Sequence, residues 1–126
     1  MSGVLDVDAT NWEGEVLQSD TLVVVDFWHD QCPWCRMLDP IYSAVADEYK
    51  GKVKFAKLNA LASHENQHLA IHYGVMSTPT VVFFCAGRPI AAVMGYQTKD
   101  RLKQLVETVI KNHKECIKKS TELKTT

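Results

Sequence analysis

The 126-residue chain predicts an α/β fold: a central mixed β-sheet with helices on both faces, in the order βαβαβαββα. Three features predict it. Short runs rich in valine, phenylalanine and tryptophan alternate with longer segments that are apolar at helical spacing. The run Val23–Trp28 has the composition of a buried strand and leads directly into a helical segment. Near the other end, Thr80–Cys85 and Ile90–Met94 are separated only by Ala86-Gly87-Arg88-Pro89, which reads as an antiparallel hairpin.

Taken in order, Val4–Val7 is a short strand, and Thr10 or Asn11 caps a helix over Trp12–Leu17 that Gly14 weakens. Ser19-Asp20 turns the chain into Leu22–Trp28. Along that strand Val23, Val25 and Phe27 share one face, and Val24, Asp26 and Trp28 share the other. The helix that follows carries Met37, Leu38, Ile41, Val45 and Tyr49 on its apolar stripe, with a kink expected at Pro40. Lys50-Gly51-Lys52 supplies a glycine stop. Val53–Leu58 is a second interior strand, and Ser63 starts a helix that runs through Tyr73 to Gly74. The last helix opens at Thr98 or Lys99 and buries Leu102, Leu105, Val106, Val109 and Ile110, with its stripe extending toward His113 and Ile117. Residues 1–111 are expected to form one domain, and 112–126 a helical extension with a polar, frayed tail.

Chemistry concentrates in Cys32-Pro33-Trp34-Cys35. Two cysteines three apart at a helix start lie one turn apart on one face, so their sulfurs can meet. Pro33 suits the first helical position, where its missing N–H costs nothing. Cys32 then sits against unpaired backbone N–H groups and the positive end of the helix dipole, which favour a thiolate. A nucleophilic Cys32 and a resolving Cys35 are the parts of a thiol–disulfide exchange centre. Structural zinc needs four ligands, and a second Cys-x-x-Cys is absent; haem attachment would need histidine where Arg36 stands. Asp26 in mid-strand is costly unless it stays protonated or is paired. It lies below Cys35 as a candidate base, and Lys57 on the neighbouring strand is its expected ionic partner.

A net charge of −1 gives no reason to expect nucleic acid or a membrane surface as partner, and no apolar run reaches the length of a membrane span. The opening MSGVLDVDATNWEGEV has no basic or apolar leader pattern, so a cytoplasmic protein is expected, where a Cys-x-x-Cys is catalytic rather than structural. His64, His68 and His72 recur every four residues and read as a solvated helix face, with no metal expected. His29 precedes the Cys32 loop and either tunes that sulfur or is an exposed loop residue. Cys85 and Cys116 read as bystanders rather than a regulatory pair.

With these pieces placed, the chain resembles the thioredoxin family over Val4–Ile110. The resemblance rests on Asn11-Trp12 with Val16–Asp20, on Val25-Asp26-Phe27-Trp28, and on Cys32 and Cys35. Pro40, Ala46–Tyr49, Lys57 in Ala56–Asn59, and Tyr73–Thr80 extend it. The active-site sequence departs from the usual Trp-Cys-Gly-Pro-Cys-Lys, and Thr78 stands where the family usually has isoleucine. The resemblance implies a reductase of protein disulfides that uses the Cys32–Cys35 disulfide and no other cofactor, in electron transport and cell redox homeostasis. It implies recharging by an NADPH-dependent thioredoxin reductase and a buried Lys57. It also implies a cis Thr78-Pro79 bond facing the cysteines, with the Thr78 backbone offered to an extended substrate. Pro33, Trp34, Met76 and Met94-Gly95-Tyr96 would flank that substrate. Pro33-Trp34 also resembles the Cys-Pro-Tyr-Cys of glutaredoxins, which take electrons from a small thiol. Asp26 and the N-terminal segment oppose that alternative, and retention of both cysteines opposes a non-catalytic binding module.

The loop residues generate a prediction for the redox poise. Pro33 at the first helical position leaves more first-turn N–H groups facing the sulfur than a proline one residue later, and Gln31 opens that side to solvent. The expected potential is higher by a few tens of millivolts than thioredoxin's value of about −270 mV. Equilibration against a glutathione buffer measures it, and a value at or below about −270 mV would show that these residues do not set it.

Overall fold

The computed structural model describes residues 3–117. Its sheet has five strands: β1 (Val4–Val7), β2 (Val23–Trp28), β3 (Lys54–Asn59), β4 (Thr80–Cys85) and β5 (Arg88–Met94), in the spatial order β1-β3-β2-β4-β5. Three helices, α1 (Pro33–Glu48), α2 (His64–His72) and α3 (Lys99–Asn112), connect and cover them. The first three strands are parallel to one another, and β4 runs antiparallel to both β2 and β5. The mixed α/β architecture is the one the residue pattern predicts.

The core lies on both faces of the sheet. One face packs Val24, Phe55, Val81 and Phe83 against Leu38, Tyr42 and Val45 of α1 and Leu102, Val106 and Val109 of α3. The other packs Val25, Phe27, Leu58, Val82 and Phe84 around Trp12, Val16 and Ala70. Because β2 is sandwiched, all of Val23–Phe27 is buried, Asp26 included. The Tyr42 hydroxyl reaches under the sheet to the carbonyl oxygens of Val24 at 2.9 Å and Ala56 at 2.7 Å, stitching α1 to the two central strands.

Three elements differ from expectation. The segment after β1 is a π-helical turn, Glu13–Leu17, rather than a capped α-helix. Neither Thr10 nor Asn11 caps it; its N-cap position is Trp12, without a side-chain cap, and Asp8 Oδ1 instead closes the preceding turn by accepting from the backbone N–H of Thr10 at 2.8 Å. Met37 is 51% exposed, because Leu38 and Ile41 take the core-facing positions of α1. The last helix stops at Asn112, and the chain then turns through a 3-10 segment, Lys114–Cys116, that brings Ile117 against the core. The polar tail expected from 120 onward lies outside the described residues.

The largest correction concerns Cys85 and Cys116, which are joined by a disulfide with Cα atoms 5.7 Å apart. Cys85 closes β4, and both cysteines are buried in the α1/α3 face of the core. The N–H of Leu22 also donates to the Cys116 carbonyl at 2.6 Å, so the segment after α3 is clasped to the start of β2. His113 Nδ1 lies 3.6 Å from a Glu115 carboxylate oxygen beside this clasp. A cross-link 31 residues long removes denatured-state entropy worth about 3–4 kcal/mol. Cys85→Ser/Cys116→Ser should therefore lower the unfolding free energy of the oxidised protein by about 3–4 kcal/mol, read as a fall in denaturant midpoint. An unmoved midpoint would show that the bond adds nothing to the fold.

Candidate active site

The site forms where the C-terminal ends of β2 and β4's leading loop approach the start of α1. Cys32 is the N-cap of α1, with extended backbone (φ −108°, ψ 104°), and Pro33 occupies the first turn as its missing N–H allows. The Cys35 N–H points back at Cys32 Sγ, 3.1 Å away. The same donor would stabilise a Cys32 thiolate in the reduced protein. Cys32 and Cys35 form a disulfide, with Cα atoms 5.2 Å apart. In this oxidised state Cys32 is only 5% exposed and Cys35 only 4%.

The loop before Cys32 is held from several sides. The backbone N–H of Gln31 donates to His29 Nδ1 at 3.1 Å, which gives His29 a positioning contact. Arg36 donates to the Asp30 carbonyl at 2.9 Å, and Asn59 to the Asp30 carboxylate at 3.2 Å. Opposite, the Thr78-Pro79 bond is cis. Thr80 Oγ1 donates to the Ser77 carbonyl at 2.7 Å and the Gly95 N–H to the Pro79 carbonyl at 2.7 Å, fixing the loop's height. Gly95 takes a φ of +89°, a conformation that favours glycine. The Thr78 carbonyl lies 3.4 Å from Cys32 Sγ, a distance at which the reduced thiol would donate to it.

Around the disulfide runs an apolar rim. Trp34 is 55% exposed and lies against Tyr96 with ring centroids 5.8 Å apart; with Thr78, Pro79 and Gly95 they line a shallow groove. Met76 is the most exposed large apolar side chain among the described residues, Met94 is well exposed too, and Pro33 is exposed next to Trp34. Of the residues expected to flank a substrate, Trp34, Thr78, Pro79 and Gly95 line this groove, whereas Met76 lines a second depression with His29, Leu61, Ile71 and Thr78.

Beneath, on the α1 side of the sheet, Asp26 and Lys57 are register partners of the parallel β2–β3 pair. Asp26, Trp28, Cys35, Arg36, Asp39 and Lys57 line a cleft of about 210 Å³. Asp26 is 2% exposed, and its Oδ1 has no hydrogen-bond partner. Burial, with the Asp39 carboxylate adding repulsion and Lys57 offsetting part of it, pushes the Asp26 carboxyl up to about 7. Lys57 departs from expectation. Its side chain is 28% exposed, and its ammonium pairs with Asp39 at 3.5 Å rather than with Asp26. Its stem carries the charge over the Trp28 ring, 5.4 Å from the centroid. Trp28 itself is half-buried and forms a wall of the cleft instead of part of the core. Asp39 escaped the sequence reading; its position four residues after Cys35, on the same helix face, was the signal available.

His64, His68 and His72 are all exposed on α2. Among the described residues the group of His, Cys and carboxylate donors within 4.8 Å of one another is Cys85, His113 and Glu115, whose sulfur is committed to the second disulfide.

The raised Asp26 carboxyl makes stability pH-dependent. The group is neutral in the fold up to about 7 but ionises at 3.8 when unfolded, so its stabilising effect is complete below 3.8 and is lost as pH rises through 7. Asp26→Ala removes this dependence. The stability of the variant relative to the parent should rise by up to about 4 kcal/mol between about pH 4 and 8, measured by denaturant titration at each pH. A pH-independent difference would contradict the desolvated carboxyl.

Comparison with known proteins agrees with this geometry. Residues 3–108 match the family model described as Thioredoxin. The chain is 38% identical over 107 residues to Thioredoxin 1 of Nostoc sp., covering 85% of this chain and 97% of that protein. It is 38% identical over 96 residues to the thioredoxin of Alicyclobacillus acidocaldarius, covering 76% of this chain and 89% of that one. With the chloroplastic M-type thioredoxin of pea it shares 41% identity over 104 residues, 82% of this chain and 59% of that protein. A Cys-x-x-Cys disulfide at a helix start faces a cis-proline loop, and the family model covers residues 3–108: the chain belongs to the thioredoxin family and is a protein disulfide oxidoreductase with a variant Cys-Pro-Trp-Cys centre.

Proposed function

We propose that this oxidoreductase works in the reducing direction, cleaving disulfides of protein substrates in the cytoplasm and drawing electrons from an NADPH-dependent thioredoxin reductase. The observation that carries the reading is Cys32 at the N-cap of α1, its sulfur 3.1 Å from the Cys35 N–H and beside the Thr78 carbonyl. A thiolate at that atom is stabilised without a metal or organic cofactor, so the redox-active disulfide is the only prosthetic chemistry the reading requires. Four of the relatives carry chloroplastic names, and fractionation of the native protein decides between compartments.

The roles follow from position. Cys32 attacks a substrate disulfide, one substrate sulfur leaves as thiolate, and a mixed disulfide forms. Asp26 takes the proton of Cys35, and Cys35 attacks Cys32 Sγ, releasing the second substrate thiolate and closing the intramolecular disulfide. Lys57 tunes Asp26 by its charge. Substrate backbone pairs with Thr78 next to cis-Pro79, as a short β-augmentation, while Pro33, Trp34, Met76 and Gly95 provide the apolar flank. Residues 1–111 act as the catalytic domain, and 112–126 as an extension whose first part, through Ile117, is packed on it.

Insulin-disulfide reduction tests the reading, with thioredoxin reductase and NADPH or with glutathione as the electron source. Turnover is expected with the enzyme donor; a preference for glutathione would overturn the choice of partner. Cys32→Ser should abolish turnover, and Cys35→Ser should accumulate mixed disulfides with targets. Undiminished turnover by Cys32→Ser would end the exchange mechanism.

A further inference from the structure

The cleft beneath Cys35 contains a charge that the roles above leave unused. Asp39 lies four residues after Cys35 on α1, so both side chains lean over the same stretch of β2 and β3. Its side chain is 54% exposed and stands at the cleft's mouth, while Asp26 is buried at its floor. Lys57 rises between them from β3, and its ammonium is drawn to Asp39 at 3.5 Å. Asp26 Oδ1 is left without a partner. The charged or titratable groups around Asp26 are Lys57 from β3 and Cys35, Arg36, Asp39 and Tyr42 from α1; its β4 register partner is Val81, which is apolar. Of these, Asp39 holds the one cation that register places alongside Asp26, and holds it on the solvent side.

We propose that Asp39 is a positioning residue for the Cys35 step: by anchoring Lys57 at the mouth of the cleft it keeps Asp26 unpaired and therefore basic enough to accept the Cys35 proton. The inference rests on the exchange reading above and deepens it. In the step concerned, the S–H bond of Cys35 breaks and its proton passes to the Asp26 carboxylate. The Cys35 sulfur forms its bond to Cys32 Sγ, and the bond between Cys32 and the substrate sulfur breaks. The two electrons leave with the substrate thiolate, and the Cys32–Cys35 pair is oxidised. The proton on Asp26 then returns to water through the cleft, whose volume of about 210 Å³ has room for several waters at roughly 30 Å³ each. With Asp39 neutral, Lys57 is free to turn inward, and Asp26 becomes a salt-bridged, weaker base.

Two measurements on the full-length chain test this. The first is the titration of the Asp26 carboxyl by NMR of carbon-labelled aspartate. The second is the pH dependence of single-turnover release from a preformed mixed disulfide on Cys32. Asp39→Asn should shift both the Asp26 midpoint and the acidic limb of the release profile to lower pH by about one unit. The release rate on the plateau should fall, and Asp39→Glu should restore the parent values. Midpoint and limb both unmoved in Asp39→Asn, with its thermal melt intact, would overturn the inference. If instead the parent protein releases substrate from Cys32 no faster than Cys35→Ser does, it is the exchange reading that fails.

Discussion

The register of β2 against β3 places Asp26 beside Lys57, and the rest of the site depends on that pairing. In a parallel ladder, partners project to the same face, so an acid at the centre of one strand must share its surroundings with whatever stands opposite. Here that face is covered by α1, which also carries the two active-site sulfurs. A charged group is thus buried directly below a reactive disulfide by strand alignment alone. Shifting β3 by one residue would send Lys57 to the other face and put Ala56 or Leu58 next to the carboxyl.

Much of this was legible from residue order. Val23–Trp28 is too apolar to face water, and the mid-strand acid flagged a buried carboxyl. The Cys-Pro-Trp-Cys spacing located both sulfurs and the start of α1. The cis bond at Pro79 was not deducible from local chemistry and came only from family resemblance. What sequence hid were encounters between distant segments. The partner of Lys57 is decided by how α1 lies across the sheet, a tertiary fact with no one-dimensional trace. Cys85 and Cys116 sit in unrelated patterns, and only the turn after α3 brings them together. The Glu13–Leu17 turn was misread because Gly14 and the short stretch gave a weak helical signal that tertiary packing of Trp12 and Val16 resolved differently.

The two disulfides contrast in their surroundings. Cys32–Cys35 lies under a rim of exposed apolar side chains, with a backbone donor aimed at its sulfur and a cleft behind it. Cys85–Cys116 lies at the opposite end of β4, with both residues packed among Leu22, Tyr49 and Val109. Thiolate attack needs access and a stabilised leaving group. All four cysteines are alike in exposure, at 4–6%; what sets the first bond apart is the backbone donor aimed at its sulfur and the groove and cleft beside it. Identical bonds are thereby assigned to chemistry and to architecture by their environments.

The margins of the sheet carry a different consequence. Edge strands invite pairing by foreign chains, the first step toward aggregation. Here β1 is four residues long and carries Asp6, while β5 contains Pro89, which has no N–H to donate, next to a register irregularity at Phe83/Phe84. Both flanks are poor templates for indiscriminate strand addition. A protein proposed to receive extended substrate segments must limit where they adhere. On the proposed reading, the inhospitable edges leave the groove beside Pro79 as the place where backbone, apolar surface and a reactive sulfur are offered together.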